Sequence, residues 1–213
     1  MGDVRLALRS LRTRPALTLA AITALGLALG ASATIFALAD ALWLRPAGMA
    51  NPSTLVRVFG VTADADDAGW SLPEVHDLQA RVTSLEPLVG RGPRGILAPA
   101  ADGASQLVLV NVVTPGFFEA LGVRALHGRL PDGSDTGPVA ALGHAYWRTR
   151  FGGDPAVVGT TLPLGGRRIP VTIAGILPPS FRDLDPATDR DLWLPIGTWA
   201  HLGGTGALED RAF

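Results

Sequence analysis

His76, His127, His144 and His201 are the imidazoles of the chain, the groups best suited to proton transfer at neutral pH or to holding zinc. They are scattered, and no H-x-x-x-H spacing sets two of them on one turn of a helix, so they predict no metal site. Asp135-Thr136-Gly137 is the tripeptide of aspartic proteases, which requires an apolar strand before it. Here "LPDGS" precedes it and Pro138 follows, which predicts a turn. The acids of "DLDPATDRD" (Asp183–Asp191) could supply oxygens to calcium, but the regular ligand spacing with a terminal glutamate is missing, so a solvated loop is expected. "GGTG" (Gly203–Gly206) lacks the strand-then-helix setting of a phosphate cradle and is expected to be a flexible loop.

Whole classes of chemistry drop out by composition. With no cysteine there is no disulfide, thiol nucleophile or zinc–thiolate centre. All 18 basic residues are arginine, which removes the P-loop lysine, the Schiff base and the Ser–Lys dyad. The sequence therefore predicts no catalytic, cofactor-binding or metal-ligating residues, no cofactor and no enzyme. Any ATP used alongside this chain must be bound by another polypeptide.

The elements that would carry such groups begin with a very apolar one. Hydrophobic residues make up 47% of the 213 residues and charged residues 17%, with a mean hydropathy of +0.29. Much of that excess lies in "PALTLAAITALGLALGASATIFALA", Pro15 to Ala39, which holds no charge. Twenty-five helical residues span about 37 Å, against roughly 30 Å of bilayer hydrocarbon. The stretches "ASA" before Thr34 and "ALA" before Asp40 resemble signal-peptide cleavage sites. A signal h-region, however, runs only about 7–15 residues. This run continues through Ile35, Phe36 and Leu38, with Trp43 placed as an interfacial aromatic, so a retained membrane helix over 15–44 is expected.

Arg5, Arg9, Arg12 and Arg14 precede the span and Arg45 follows it, which predicts a cytoplasmic N-terminus. Residues 1–14 are then a basic segment at or on the inner membrane surface, and residues from about 46 lie outside the cytoplasm. Ala16, Ala20, Ala24 and Ala28, with Gly26 and Gly30, recur at the spacing that lets a second helix approach. The whole chain carries a formal net charge of −1, which gives no sign of nucleic-acid binding.

Beyond Pro46 the pattern changes to short strands and short helices. "LVRVFGV" (Leu55–Val61) predicts a strand, "DADDAG" (Asp64–Gly69) a polar turn, and Ser71 with Glu74 a capping box that opens a helix. "QLVLVNVV" (Gln106–Val113) predicts a buried strand. "TPGFFEALG" predicts a helix with Thr114 as N-cap, Pro115 at the first position and Gly122 as its stop. "HAYWRTRFGG" predicts another short helix, and "TTLPLGGRRIPVTIAGIL" a hairpin turning through Gly165–Gly166. Trp70, Trp147, Trp193 and Trp199 are expected in the core. The fold class is α+β: an N-terminal transmembrane helix followed by a mixed-sheet extracytoplasmic domain over 46–213.

Taken in order, "LRSLRTRPALTLAAITALGLALGASATIF", "ADALWLRP", "LVRV", "SLPEVHDLQ", "VTPGFFEALGVRALHGRL", "PVAALGHAYWRTRFGGDPAVVGTTLPLGGRRIPVTIAGILPPSF" and "DLWLPI" resemble permease subunits of MacB/FtsX-type ABC transporters, with their membrane-adjacent periplasmic core domain. The resemblance covers about residues 5–197. It implies a mechanical role in the bacterial cell membrane, in export or mechanotransmission. It further implies a separate cytoplasmic ABC ATPase that drives membrane helices and so moves the external domain, with a second permease copy or half alongside. It brings no catalytic residues to this domain. The connector "PAGMANPSTL" departs from the family pattern, and the family's three later spans are not in this sequence. "LEDRAF" is expected to begin a further strand, which makes the domain incomplete at its C-terminal side. The alternative is a single-span or secreted binding module that uses the same domain without transport.

Overall fold

The computed structural model describes residues 15–40, 49, 54–60, 70–82, 84–100, 103–181, 183 and 189–204. The basic segment 1–14, the end of the span with Trp43, the turn Asp64–Gly69 and the strand expected at Leu208–Phe213 lie outside the described residues. The chain divides into two compact units, Met1–Arg45 and Pro46–Phe213.

In the first unit, helix α1 (Pro15–Ala39) follows from 25 residues without a charge, opened by a proline whose missing N–H is not needed in a first turn. No side chain described on it is buried, and its apolar groups face every direction: Leu27 is 75% exposed and Phe36 67%. Thr23 and Thr34 donate their hydroxyl hydrogens to the carbonyls of Leu19 and Gly30 at 2.6 and 2.8 Å. A hydroxyl folded back in this way stays satisfied where water is absent. The helix has the length and composition of a membrane span.

The second unit is built on a curled mixed sheet. Its strands are β1 (Arg91–Pro99), β2 (Ser105–Val113), β3 (His127–Gly128), β4 (Val139–Leu142), β5 (Thr161–Leu164), β6 (Ile169–Ile176) and β7 (Leu192–Pro195). Their order is β1-β2-β7-β4-β6-β3, with β5 also on β6. β2 runs parallel to β7 and β4 parallel to β6, while the other pairs are antiparallel. The sheet curls far enough for the Gly165 N–H, at the β5–β6 turn, to donate to the Leu97 carbonyl of β1 at 2.8 Å.

Each face of this sheet carries a core, although Leu97 and Leu107 of the β1–β2 hairpin stay exposed, and the pleat decides which side chain goes where. Val108, Val110 and Val112 of β2, Ala140 and Leu142 of β4, and Leu192 and Leu194 of β7 fill the larger core with Leu164, Val171 and Ile173. Tyr146 and Trp147 of α4 (His144–Arg150) and Trp199 of α5 (Ile196–His201) close it. The alternate residues Val113, Ala141 and Trp193 point the other way and meet Phe117 and Phe118 of the short helix α3 (Phe117–Ala120). Trp70 is only half-buried, whereas the other three tryptophans expected inside are buried.

The helix α2 (Leu72–Arg81) begins as the capping box requires. Ser71 Oγ accepts from the Glu74 N–H, and Glu74 Oε2 accepts from the Ser71 N–H at 2.8 Å. The β5–β6 hairpin also forms where it is expected, with Leu162 opposite Val171.

Three local expectations fail for physical reasons. Leu55–Phe59 is not a strand. Val61 of the expected strand lies outside the described residues; among those described, Gly60 makes a bridge, and no strand pairs with Leu55–Phe59, where Val56 is 71% exposed and Phe59 49%. Thr114 is not the N-cap of α3. Its hydroxyl accepts from the Gly90 N–H at 2.8 Å and its own N–H donates to the Gly90 carbonyl, prolonging the β1–β2 ladder. The helix starts after Gly116, whose φ of 75° needs glycine. Of the loop expected at Gly203–Gly206, Thr205 and Gly206 lie outside the described residues, and Gly203 and Gly204 are not free: the Gly204 N–H donates to the Trp199 carbonyl, and a Cβ there would occupy the space of the Trp199 indole.

Candidate functional site

The face of the sheet opposite the larger core carries the most unusual chemistry. From Leu107 onward β2 is a run of apolar side chains interrupted by Asn111, which is fully buried. In register it lies opposite Pro93 of β1 and Trp193 of β7, next to the aromatic cluster. Asp183, in the segment between β6 and β7, meets it there. Asp183 Oδ2 accepts from Asn111 Nδ2 at 2.9 Å, from Arg190 Nε at 3.1 Å and from Arg91 Nη1 at 3.3 Å. The Asp183 side chain is 1% exposed, with those of Arg91 at 16% and Arg190 at 9%. A carboxylate so desolvated persists only when paired and hydrogen-bonded, and here two guanidinium groups and an amide do both. The solvated loop expected from the sequence is wrong for Asp183, because long-range partners on β1 and β2 draw it into the fold.

Beside this node Phe117, Phe118 and Phe181 surround Trp193, with ring centroids 5.7, 5.8 and 5.2 Å from it. Phe181 and Asp183 thus fix one short segment to the sheet, one by ring packing and the other by charge. Asp191 begins the entry to β7 and accepts from the Leu109 N–H at 2.8 Å. Burial pushes its carboxyl above the ordinary aspartate range, and that hydrogen bond pulls the other way. A cavity of about 160 Å³ lies at this point, lined by His144, Phe181, Asp183, Asp189, Arg190 and Trp193. A shallower depression of about 480 Å³ runs past Phe118, Glu119, Arg124, Leu130 and Asp132.

Of the other sequence candidates, His144 and Asp189 line the cavity of about 160 Å³, and the rest do not gather there. His76 and His127 are exposed, and His201 is exposed with Nδ1 2.7 Å from the Gly197 carbonyl. His127 and His144 both stand edge-on to Trp147, with centroids 5.6 and 5.5 Å away, a meeting that their spacing does not suggest. Asp135 pairs with Arg129, and Thr136–Gly137 forms a bend in place of the expected turn. Hydrogen bonds from the Ser134 hydroxyl and N–H hold the exposed Asp132 carboxyl below its usual range. The signal that could have identified the node is a lone asparagine inside an apolar strand, since a buried amide demands a partner. What the arrangement does chemically is tie elements: one carboxylate joins β1, β2 and the entry to β7.

The same architecture occurs in solved proteins. The extracellular domain of the noncanonic ABC-type transporter YknZ from Gram-positive bacteria superposes with a TM-score of 0.51 at 15% identity, over 64% of this chain and 67% of that one. The periplasmic region of MacB from Actinobacillus actinomycetemcomitans gives 0.51 at 13% identity, over 67% of this chain and 64% of that one. At those identities the likeness is one of fold. No curated protein matches the sequence. The profile of the MacB-like periplasmic core domain, however, matches residues 18–210, from inside α1 to beyond α5. The chain belongs to the family of MacB-like periplasmic core domains.

Proposed function

We propose that this chain is a permease-type component of an ABC transporter, converting the work of a separate cytoplasmic ATPase into movement of its extracytoplasmic domain, for export or mechanotransmission. The observation that carries this reading is the continuity of the family match across the apolar helix and the folded domain, residues 18–210. A span and an external domain inherited as one piece suit a part that passes displacement across a membrane. The α1 composition supports a bilayer environment. The arginines ahead of it favour a cytoplasmic N-terminus, and the absence of lysine leaves nucleotide binding to a partner. In this reading the domain catalyses nothing, and a second permease copy or half completes the membrane part.

Because the chain has no cysteine, single introduced thiols report its orientation. In intact cells, or spheroplasts where an outer membrane is present, Asp132→Cys is expected to react with a membrane-impermeant maleimide, and Ser10→Cys only after lysis. The reverse pattern would place the domain in the cytoplasm and end this reading. Calorimetry of the purified chain at millimolar ATP is expected to show no binding, and stoichiometric binding would refute the division of labour.

A further inference from the structure

From Leu107 to Val113, β2 is apolar on both faces except at Asn111: Val108, Val110 and Val112 enter the larger core, and Val113 joins the aromatic cluster. Its parallel partner β7 is Leu-Trp-Leu-Pro, and their register is short, from Val110 opposite Leu192 to Val113 opposite Pro195. A slip of one residue would turn every side chain to the wrong face, so the pleat itself opposes it. A slip of two residues keeps every side chain on its face and sets Val110 opposite Leu194, apolar against apolar. Hydrophobic pattern does not distinguish that alignment from the native one.

The polar node does. Asn111 is fixed on β2, Arg91 on β1, and Arg190 lies two residues ahead of β7, all three donating to the single oxygen Asp183 Oδ2. Sliding β7 by two residues is a displacement of about 6.6 Å. It would pull Arg190 away from Asp183, or Asp183 away from Asn111, and break a charged hydrogen bond largely withdrawn from water. We propose that Asn111, Asp183, Arg91 and Arg190 form a registry key, which selects the native alignment of β2 on β7 over the face-conserving slip that sets Val110 opposite Leu194. The key would stop the edge hairpin from creeping along β7 under load, but it does not rest on the transporter reading.

Disulfide trapping in the full chain tests it, since no native cysteine interferes. Two pairs are introduced, Val110→Cys with Leu192→Cys for the native register and Val110→Cys with Leu194→Cys for the slipped one. Each is folded in detergent under oxidising conditions and scored by mass. With the node intact, only the native pair is expected to close. With R91M, N111V, D183L and R190M combined, which leaves no charge of the node behind, the slipped disulfide is expected to rise from undetectable to a fraction comparable with the native one. Exclusive closure of the native pair in that background would overturn the proposal. So would failure of that background to fold: apolar replacement of a whole buried ion cluster generally keeps or raises stability, so the node would then be a plain stabilising element.

Discussion

Replacing Trp193 by alanine is expected to remove about 3–5 kcal/mol of folding stability, the usual range for truncating a buried aromatic. Trp193 is 2% exposed and touches three phenylalanine rings, while its backbone pairs with Asn111 on one side and Ala141 on the other. The cavity left behind would face Phe117, Phe118 and Phe181, none of which can collapse into it without leaving α3 or the segment that holds Asp183. For a chain of this size the loss corresponds to a melting temperature lower by on the order of 10 °C. Trp193→Phe keeps most of the ring contact and should lose far less. Thermal unfolding of the full chain in one detergent checks both, and a loss below about 1 kcal/mol for the alanine variant, the scale of a mild substitution, would contradict the packing described.

Asp183→Ala is expected to be comparably severe, at about 3–5 kcal/mol, because it removes the carboxylate shared by two guanidinium groups and an amide that are largely withdrawn from water. Arg91 and Arg190 have their side chains 16% and 9% exposed, so neither can simply swing into solvent at no cost. Asp183→Asn retains an oxygen acceptor of the same shape and should lose less. Urea midpoints at constant slope separate these cases. A cost under about 1 kcal/mol for Asp183→Ala would be that of an exposed ion pair and would mean the node is not desolvated. Breaking the node and replacing it outright are different experiments, which is why the four-residue apolar substitution carries the register test and the alanine variant carries the stability test.

Local rules were sufficient wherever a few neighbouring residues decide the outcome. The capping box at Ser71 and Glu74, the uncharged run of α1, the hairpin around Gly165 and the buried strand ending at Val113 could all be read from short windows. β1 could not: Gly92, Pro93 and Gly95 argue against a strand, and it exists because nine residues of β2 pair with it. Leu55–Phe59 fails in the opposite way, having strand propensity but no strand among the described residues to pair with. The node was invisible because its members lie 20, 72 and 7 residues apart, at Arg91 and Asn111, Asn111 and Asp183, and Asp183 and Arg190. Each acid or arginine taken alone looks like surface. Asn111 inside its valines is the one member whose local setting already demanded a buried partner.

The most direct test of a membrane transducer driven by a separate ATPase is purification of the full chain from its own cells in mild detergent, expressed from its native locus with an affinity tag. The account predicts that the chain is found in the membrane fraction with α1 retained in its intact mass, and that an ABC-type ATPase co-purifies in fixed proportion and hydrolyses ATP in the complex. Recovery of the chain from the soluble fraction without α1, or from membranes with no ATPase at any detergent strength, would contradict it.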